Sequence, residues 1–214
     1  MMTQPGAPSS SENRYATGLN LGTGVELGGT ARIDTQGSLN ATGNALDMAI
    51  EGAGFFQVLL PDGRTGYTRA GNFTMSADGT IVTPDGKPLQ PNIQVPEGAT
   101  GVSVGADGTV SATVPGQAEA TELGRIEIAR FVNPSGLQAI GDNMLVETAA
   151  SGAPQVGAAG EEGRGILRSG MLEGSNVNVV EELVDMIETQ RAYEVNSKMI
   201  QATDEMMKNA TQTL

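Results

Sequence analysis

Side chains that do chemistry at neutral pH are scarce in this chain. It has no histidine and no cysteine. The commonest general base, the thiolate nucleophile and disulfides are therefore all missing. What remains is carboxylate pairs or a serine–lysine arrangement. Asp62, Asp78, Asp85 and Asp107 each precede a glycine. That pairing builds tight turns, because the aspartate bonds the local backbone and glycine accepts positive φ. Glu161-Glu162 lies in a loop-like stretch and reads as solvated charge, and Lys87 and Lys198 have no evident serine partner. Gly22-Thr23-Gly24 and Gly52-Ala53-Gly54 neither open a helix nor carry the Lys-Ser/Thr of a phosphate loop. No Asp/Asn spacing fits a calcium loop. The residues point to no catalytic, cofactor or metal site, and an enzyme is not expected. A cell-wall-cleaving enzyme would need an acidic cleft that the sequence does not display. A sugar-binding adhesin would need aromatic platforms, and there is no Trp.

The elements that position these turns are set by composition. Among 214 residues there are 30 glycines, roughly twice the usual share, which favours β-structure with short loops. The formal charge of −13 repels nucleic acid and anionic lipid, so neither is expected as a partner. No apolar run is long enough to span a bilayer, so no membrane insertion is expected. Residues 1–11 lack the basic start and apolar centre of a cleaved signal peptide.

The expected fold is mainly β: an antiparallel, hairpin-rich β-domain plus one long C-terminal α-helix of coiled-coil type. Three parts are read. Residues 1–43 form an extended, flexible lead-in segment, in which Val25, Leu27, Ala31 and Ile33 alternate as in a strand. Residues 44–174 form the β-rich domain. Apolar runs at Ala49–Glu51, Phe55–Leu60, Tyr67–Arg69, Phe73–Met75, Ile81–Thr83, Val102–Val104, Thr109–Val110, Met144–Glu147 and Ile166–Leu172 read as strands. Ile126 and Ile128, with Phe131, alternate with Arg125, Glu127 and Arg130, which predicts one buried and one wet face. The core is expected at Ile50, Phe55, Phe56, Tyr67, Phe73, Ile126 and Ile128. Ser151–Gly165 reads as a mobile loop.

Residues 175–214 form the helix. Asn178 is placed to cap it, with Glu181 three residues on as in a capping box. No proline or glycine follows, and a helix on the order of 50 Å results. Every seventh residue from Val179 is apolar: Met186, Tyr193, Ile200, Met207 and Leu214. A repeat of seven marks a seam against another helix. The interleaved row starts with Leu183 and then turns polar, so the seam is half built and broadest near Val180, Leu183, Val184 and Ile187. The expected interface is Val179, Leu183, Met186, Ile187, Tyr193, Ile200 and Met207. The alternative is a helix packed on its own β-domain. Gly170–Asn176 is expected to act as a hinge, and the helix to order fully only against a partner.

Ser175-Asn176-Val177-Asn178-Val179, Glu181-Glu182-Leu183-Val184-Asp185-Met186-Ile187 and Gln190-Arg191-Ala192-Tyr193-Glu194 resemble the C-terminal signature of the flagellar rod and hook family. Leu46–Gly52, Gly54-Phe55-Phe56 and Tyr67–Phe73 resemble its central segment. Gln4-Pro5-Gly6-Ala7 and Leu21–Val25 resemble the segment that separates distal-rod members from proximal-rod and hook members. The resemblance implies a structural subunit that stacks helically with copies of itself into a hollow shaft across the periplasm. Partners implied are proximal rod and hook subunits, the P- and L-ring bushing and the rod cap during assembly. Export by the flagellar type III apparatus, without a cleaved signal, is implied too. A proximal-rod or hook-type subunit of the same family is the alternative. Members begin with a helical segment that nothing here matches, which agrees with a seam lacking its partner helix.

Overall fold

The computed structural model describes residues 32–99, 101–115 and 120–212. The strand-like Val25, Leu27 and Ala31 fall outside the described residues. Ile33 lies in non-strand chain and is exposed.

Strands β1 (Leu39–Ala41), β2 (Met48–Glu51), β3 (Phe55–Leu59) and β4 (Thr65–Thr68) come first. β5 (Thr74–Met75) and β6 (Ile81–Val82) form a short hairpin, followed by β7 (Leu89–Gln90). β8 (Gly101–Val104), β9 (Thr109–Thr113) and β10 (Thr121–Arg125) make a three-stranded sheet. After β11 (Glu127–Arg130) come a 3-10 turn (Pro134–Gly136), β12 (Gln138–Gly141) and β13 (Met144–Val146). β14 (Gln155–Ala158), β15 (Ile166–Ser169) and β16 (Met171–Glu173) lead to the helix α1 (Val179–Gln212). The fold is mainly β with antiparallel sheets and one C-terminal helix.

The four Asp-Gly pairs close four turns of one design. In each, the residue two before the aspartate donates its N–H to the carbonyl four residues on and accepts from the glycine: Leu60 with Arg64 and Gly63, Ser76 with Thr80 and Gly79, Thr83 with Lys87 and Gly86, Gly105 with Thr109 and Gly108. The glycine φ values are 82°, 75°, 80° and 91°. This is a turn completed by a residue in the left-handed region, which glycine alone adopts without a Cβ penalty.

The main sheet runs β12-β13-β4-β3-β11-β14, with β7 also paired to β3. Its centre is buried on both faces. Successive residues on a strand point to opposite faces, so the neighbours Phe55 and Phe56 serve two different clusters. Phe56 joins Met48, Ile50, Val58, Phe73, Ile126 and Ile128 in the larger core and meets Phe73 edge-on, centroids 5.1 Å apart. Phe55 joins Tyr67, Ala129, Phe131 and Leu137 on the other side, where Phe131 lies edge-on to Tyr67 at 4.7 Å. Burial raises the Tyr67 phenol above its ordinary range, with a further push from the Glu147 charge. The expectation of one wet face on β11 is thereby corrected. Ala129 is buried in the smaller cluster, and Phe131 faces that cluster rather than the one holding Ile126 and Ile128.

Two further expectations differ. Ser151–Gly165 is not a plain loop: it contains β14, paired with β11, and Ser151 and Arg164 are buried. Arg164 Nε donates to the Ala158 carbonyl at 3.0 Å and Nη1 to Glu162 at 2.9 Å. Ile166–Leu172 is not one strand but two, broken at Gly170, where φ is 74° and the N–H donates to the Asp47 carbonyl. β15 pairs with β2 and β16 with β1.

At Gly71 one stretch of backbone lies close against another. It accepts from Met48 N–H, and a Cβ built there would overlap the Met48 carbonyl. Backbone cannot yield as a side chain does, so Gly71→Ala is expected to destabilise the β-body by about 3 kcal/mol or more. A urea unfolding midpoint close to wild type would contradict this.

Candidate assembly site

The helix begins at a sequence-coded cap. Val180 N–H donates to Asn178 Oδ1 at 3.1 Å, and Glu182 N–H donates to the Asn178 carbonyl at 3.1 Å. Glu181 and Glu182 stand in the first turn, where negative charge suits the helix dipole. α1 then runs for 34 residues without proline or glycine, about 50 Å.

From its first turn it lies away from the β-body. Val179, Leu183, Met186, Ile187, Tyr193, Ile200 and Met207 are all exposed, Tyr193 by 76%. Val180, Val184, Val195, Met199 and Met206 are exposed too. A helix packed on its own domain is therefore not what forms. At about 100° per residue, the row Val179, Leu183, Met186, Tyr193, Ile200, Met207 follows one side and drifts by roughly 20° per heptad. Val184, Val195, Met199, Ala202 and Met206 form a second row on nearly the opposite side. The heptad reading missed this second row, although its spacing of three and four residues was there to be counted. The seven positions expected in the β-core, Ile50, Phe55, Phe56, Tyr67, Phe73, Ile126 and Ile128, are all buried.

The root of the helix is strapped to the body. Residues 33–41 run antiparallel to residues 170–176. Leu39–Ala41 pairs with Met171–Glu173, and Gly174 N–H donates to the Ser38 carbonyl at 2.7 Å. Asn176 Nδ2 donates to the Ile33 and Thr35 carbonyls at 3.1 and 3.0 Å. Under this strap sits an ion pair, Arg69 Nε to Glu173 Oε2 at 2.9 Å, with side chains only 22% and 10% exposed. The rest of the Arg69 fork donates to the carbonyls of Gly52, Gly54 and Ile50 at 3.1–3.3 Å. Gly37 N–H donates to the other Glu173 oxygen at 3.0 Å. Gln36 Nε2 donates to the Ile50 carbonyl, and Gln36 Oε1 accepts from Gly52 N–H. The region expected to be a hinge is thus held as far as Asn176. The unstrapped backbone before the helix shortens to Val177 and Asn178.

The remaining polar groups offer structure rather than reactivity. Asp62 is held below the usual carboxylate range by the Arg64 N–H and then its side chain. Asp107 is held low by the Thr109 hydroxyl and then its N–H. Both are turn residues. Among the described residues, no group of three His, Cys, Asp or Glu is placed to hold a metal ion. No helix among them is long and apolar enough to cross a membrane. A groove of about 270 Å³ opens beside the strap, between Asp34, Gln36, Arg69 and Phe131. Its arginines are engaged, Arg69 as above and Arg130 Nη1 on the Glu162 carbonyl. The site thus presents two exposed apolar rows on a helix whose root is held to the β-body.

Residues 49–112 match the family model described as flagellar hook protein FlgE/F/G D1 domain. Residues 168–213 match that described as flagellar basal body rod FlgEFG protein C-terminal. The flagellar basal-body rod protein FlgG of Buchnera aphidicola from Acyrthosiphon pisum is 47% identical over 209 residues, 98% of this chain and 80% of the relative. FlgG of Caulobacter vibrioides is 45% identical over 97% of this chain and 79% of its own length. The rod protein FlgF of the same organism is 37% identical over 87% of this chain and 72% of its own length.

Proposed function

The chain belongs to the FlgG family of flagellar basal-body rod proteins, and on that premise we propose that it is a distal-rod subunit that polymerises helically into the hollow drive shaft. It is a structural component of the flagellar basal body. The observation that carries the polymer reading is the helix: 34 residues with two exposed apolar rows and a strapped root. Exposed apolar stripes mark interaction surfaces. Two rows on opposite sides suit a helix wedged between two neighbours in coiled-coil fashion. An open helical array needs such unlike contacts, one patch meeting a different patch on the next copy.

In this reading the helix seam is Val179, Leu183, Met186, Ile187, Tyr193, Ile200 and Met207, facing neighbouring copies. Residues 44–174 are the outer layer. Proximal rod and hook subunits meet the two ends of the shaft, the ring bushing surrounds it, and a cap covers its growing tip. Subunits reach that tip through the flagellar export route. The work is mechanical, without catalysis. Coverage and identity are greater with FlgG than with FlgF of the same organism, which favours the place that FlgG takes in the rod.

Electron microscopy of basal bodies from a strain lacking this gene tests the reading. Truncated rods without hooks, restored by the full-length gene, are expected. Intact rods and hooks would overturn it.

A further inference from the structure

Among the described residues the main sheet ends in two edges without a further strand partner, β12 and β14, and the geometry points to their pairing between neighbouring copies of this chain, β14 of one against β12 of the next. The inference rests on the polymer reading above and adds a contact in the outer layer to that made by the helix.

Three observations carry it. First, neither edge strand contains a charged residue or proline of its own, although Arg164 Nε donates to the Ala158 carbonyl at the end of β14. Edge strands in soluble proteins are usually protected by charge or proline. β12 reads Gln138-Ala139-Ile140-Gly141 and β14 reads Gln155-Val156-Gly157-Ala158, with no charged residue and no proline in either. By contrast β10, an edge of the three-stranded sheet, carries Glu122 and Arg125; a register break is common to both, between Ala139 and Gly141 in β12 and between Glu122 and Gly124 in β10. All of β12 is exposed, with Ile140 at 45%, and in β14 Gln155 and Val156 are exposed, the latter at 42%.

Second, the strand senses fit. Five successive antiparallel pairings lead from β12 through β13, β4, β3 and β11 to β14. An odd number of reversals leaves β12 and β14 pointing in opposite directions. A second copy set beside the first in the same orientation therefore brings β14 against β12 antiparallel, with no inversion of either molecule. Each has four residues, so their lengths also match.

Third, the net charge favours an uncharged seam. Copies carrying −13 each repel one another. A contact between them is best made along strips without charge, and these two edges are such strips. Each contact is heterologous. Because neighbouring strands twist by roughly 20–25°, every added copy is rotated against the last.

The absence of cysteine makes the test direct. Val156→Cys is combined with Ala139→Cys in one full-length protein and with Ile140→Cys in another, and rods purified from complemented cells are mildly oxidised. Adjacent strand residues point to opposite faces, and cross-strand Cα distances of about 5.5 Å suit a disulfide. One of the two combinations is expected to give a ladder of dimers, trimers and higher species on a non-reducing gel. Normal rods with no ladder from either combination would overturn the pairing, as would dimers from a single-cysteine variant. Val156→Lys is the second arm, placing a guard on an exposed site. It is expected to leave monomer melting unchanged while cutting rod number at least tenfold; unchanged rod number would overturn the pairing. A gene deletion that leaves rods intact sinks the rod assignment itself, a different outcome from rods that form without cross-links.

Discussion

Cells carrying Ile200→Asp are expected to make the protein and fold its β-body but to grow no rods. Ile200 is 65% exposed and lies on α1, clear of both β-clusters. In the isolated chain the change is a surface substitution, worth at most about 0.5 kcal/mol. Within a packed helix seam the same carboxylate loses its water and gains no cation. An unpaired buried charge costs several kcal/mol, and every 1.4 kcal/mol is tenfold in affinity. Because each subunit brings the same defect to each contact, a cost of about 3 kcal/mol raises the concentration needed for growth by more than a hundredfold. Asn196→Asp is the matched control. At about 100° per residue it falls between the two apolar rows, and it is expected to assemble. Hook–basal bodies counted by electron microscopy separate the two variants, and near-identical melting curves show that the β-body is not the cause. Normal rods with Ile200→Asp would remove this position from the seam.

Arg69→Ala should have the larger effect on the fold itself. The guanidinium touches β2, the loop to β3 and Glu173 at once. Removing it leaves Glu173, 10% exposed, without its cation, and three carbonyls lose a donor. A loss of about 3 kcal/mol is expected, which for a chain of this size lowers the melting midpoint by about 6–12 °C. Arg69→Lys should recover little, because an ammonium cannot reproduce the planar fork that reaches several oxygens. Arg64→Ala is the comparison: its pair with Asp62 is 63% and 46% exposed, and less than about 1 kcal/mol is expected. Equal melting curves for Arg69→Ala and Arg64→Ala would show that the buried pair does not hold the strap.

How much of this was legible in the sequence depends on the range of the interaction. The four Asp-Gly turns are local, and each closes as its dipeptide dictates. The helix is equally local, with its Asn178 cap and unbroken run. Phe55 and Phe56 were readable as core residues, but not as residues of two cores. Which face a residue joins depends on what covers the second face, and Leu137 and Phe131 arrive from far along the chain. β10, β12 and β14 escaped because edge strands bury little and so need no apolar alternation. The strap is the clearest case. Arg69 and Glu173 are 104 residues apart, and Asn176 and Thr35 are 141 apart. Nothing in the spacing of Gly170–Asn176 shows that residues 33–41 will tie it down. Glycine and asparagine there read as a flexible joint until their partners are known.

Because Gly174 and Ser38 are hydrogen-bonded neighbours, the polypeptide leaves the β-body almost where it came in. Everything between those two residues is a loop of chain closed at its neck, which makes the β-body a cassette. Insertions at its far turns, or a graft of another body with the same neck width, would not change the position from which α1 sets out. In the proposed shaft the β-body can therefore vary while the spacing of the helices is kept, since among the described residues the two are joined through that neck.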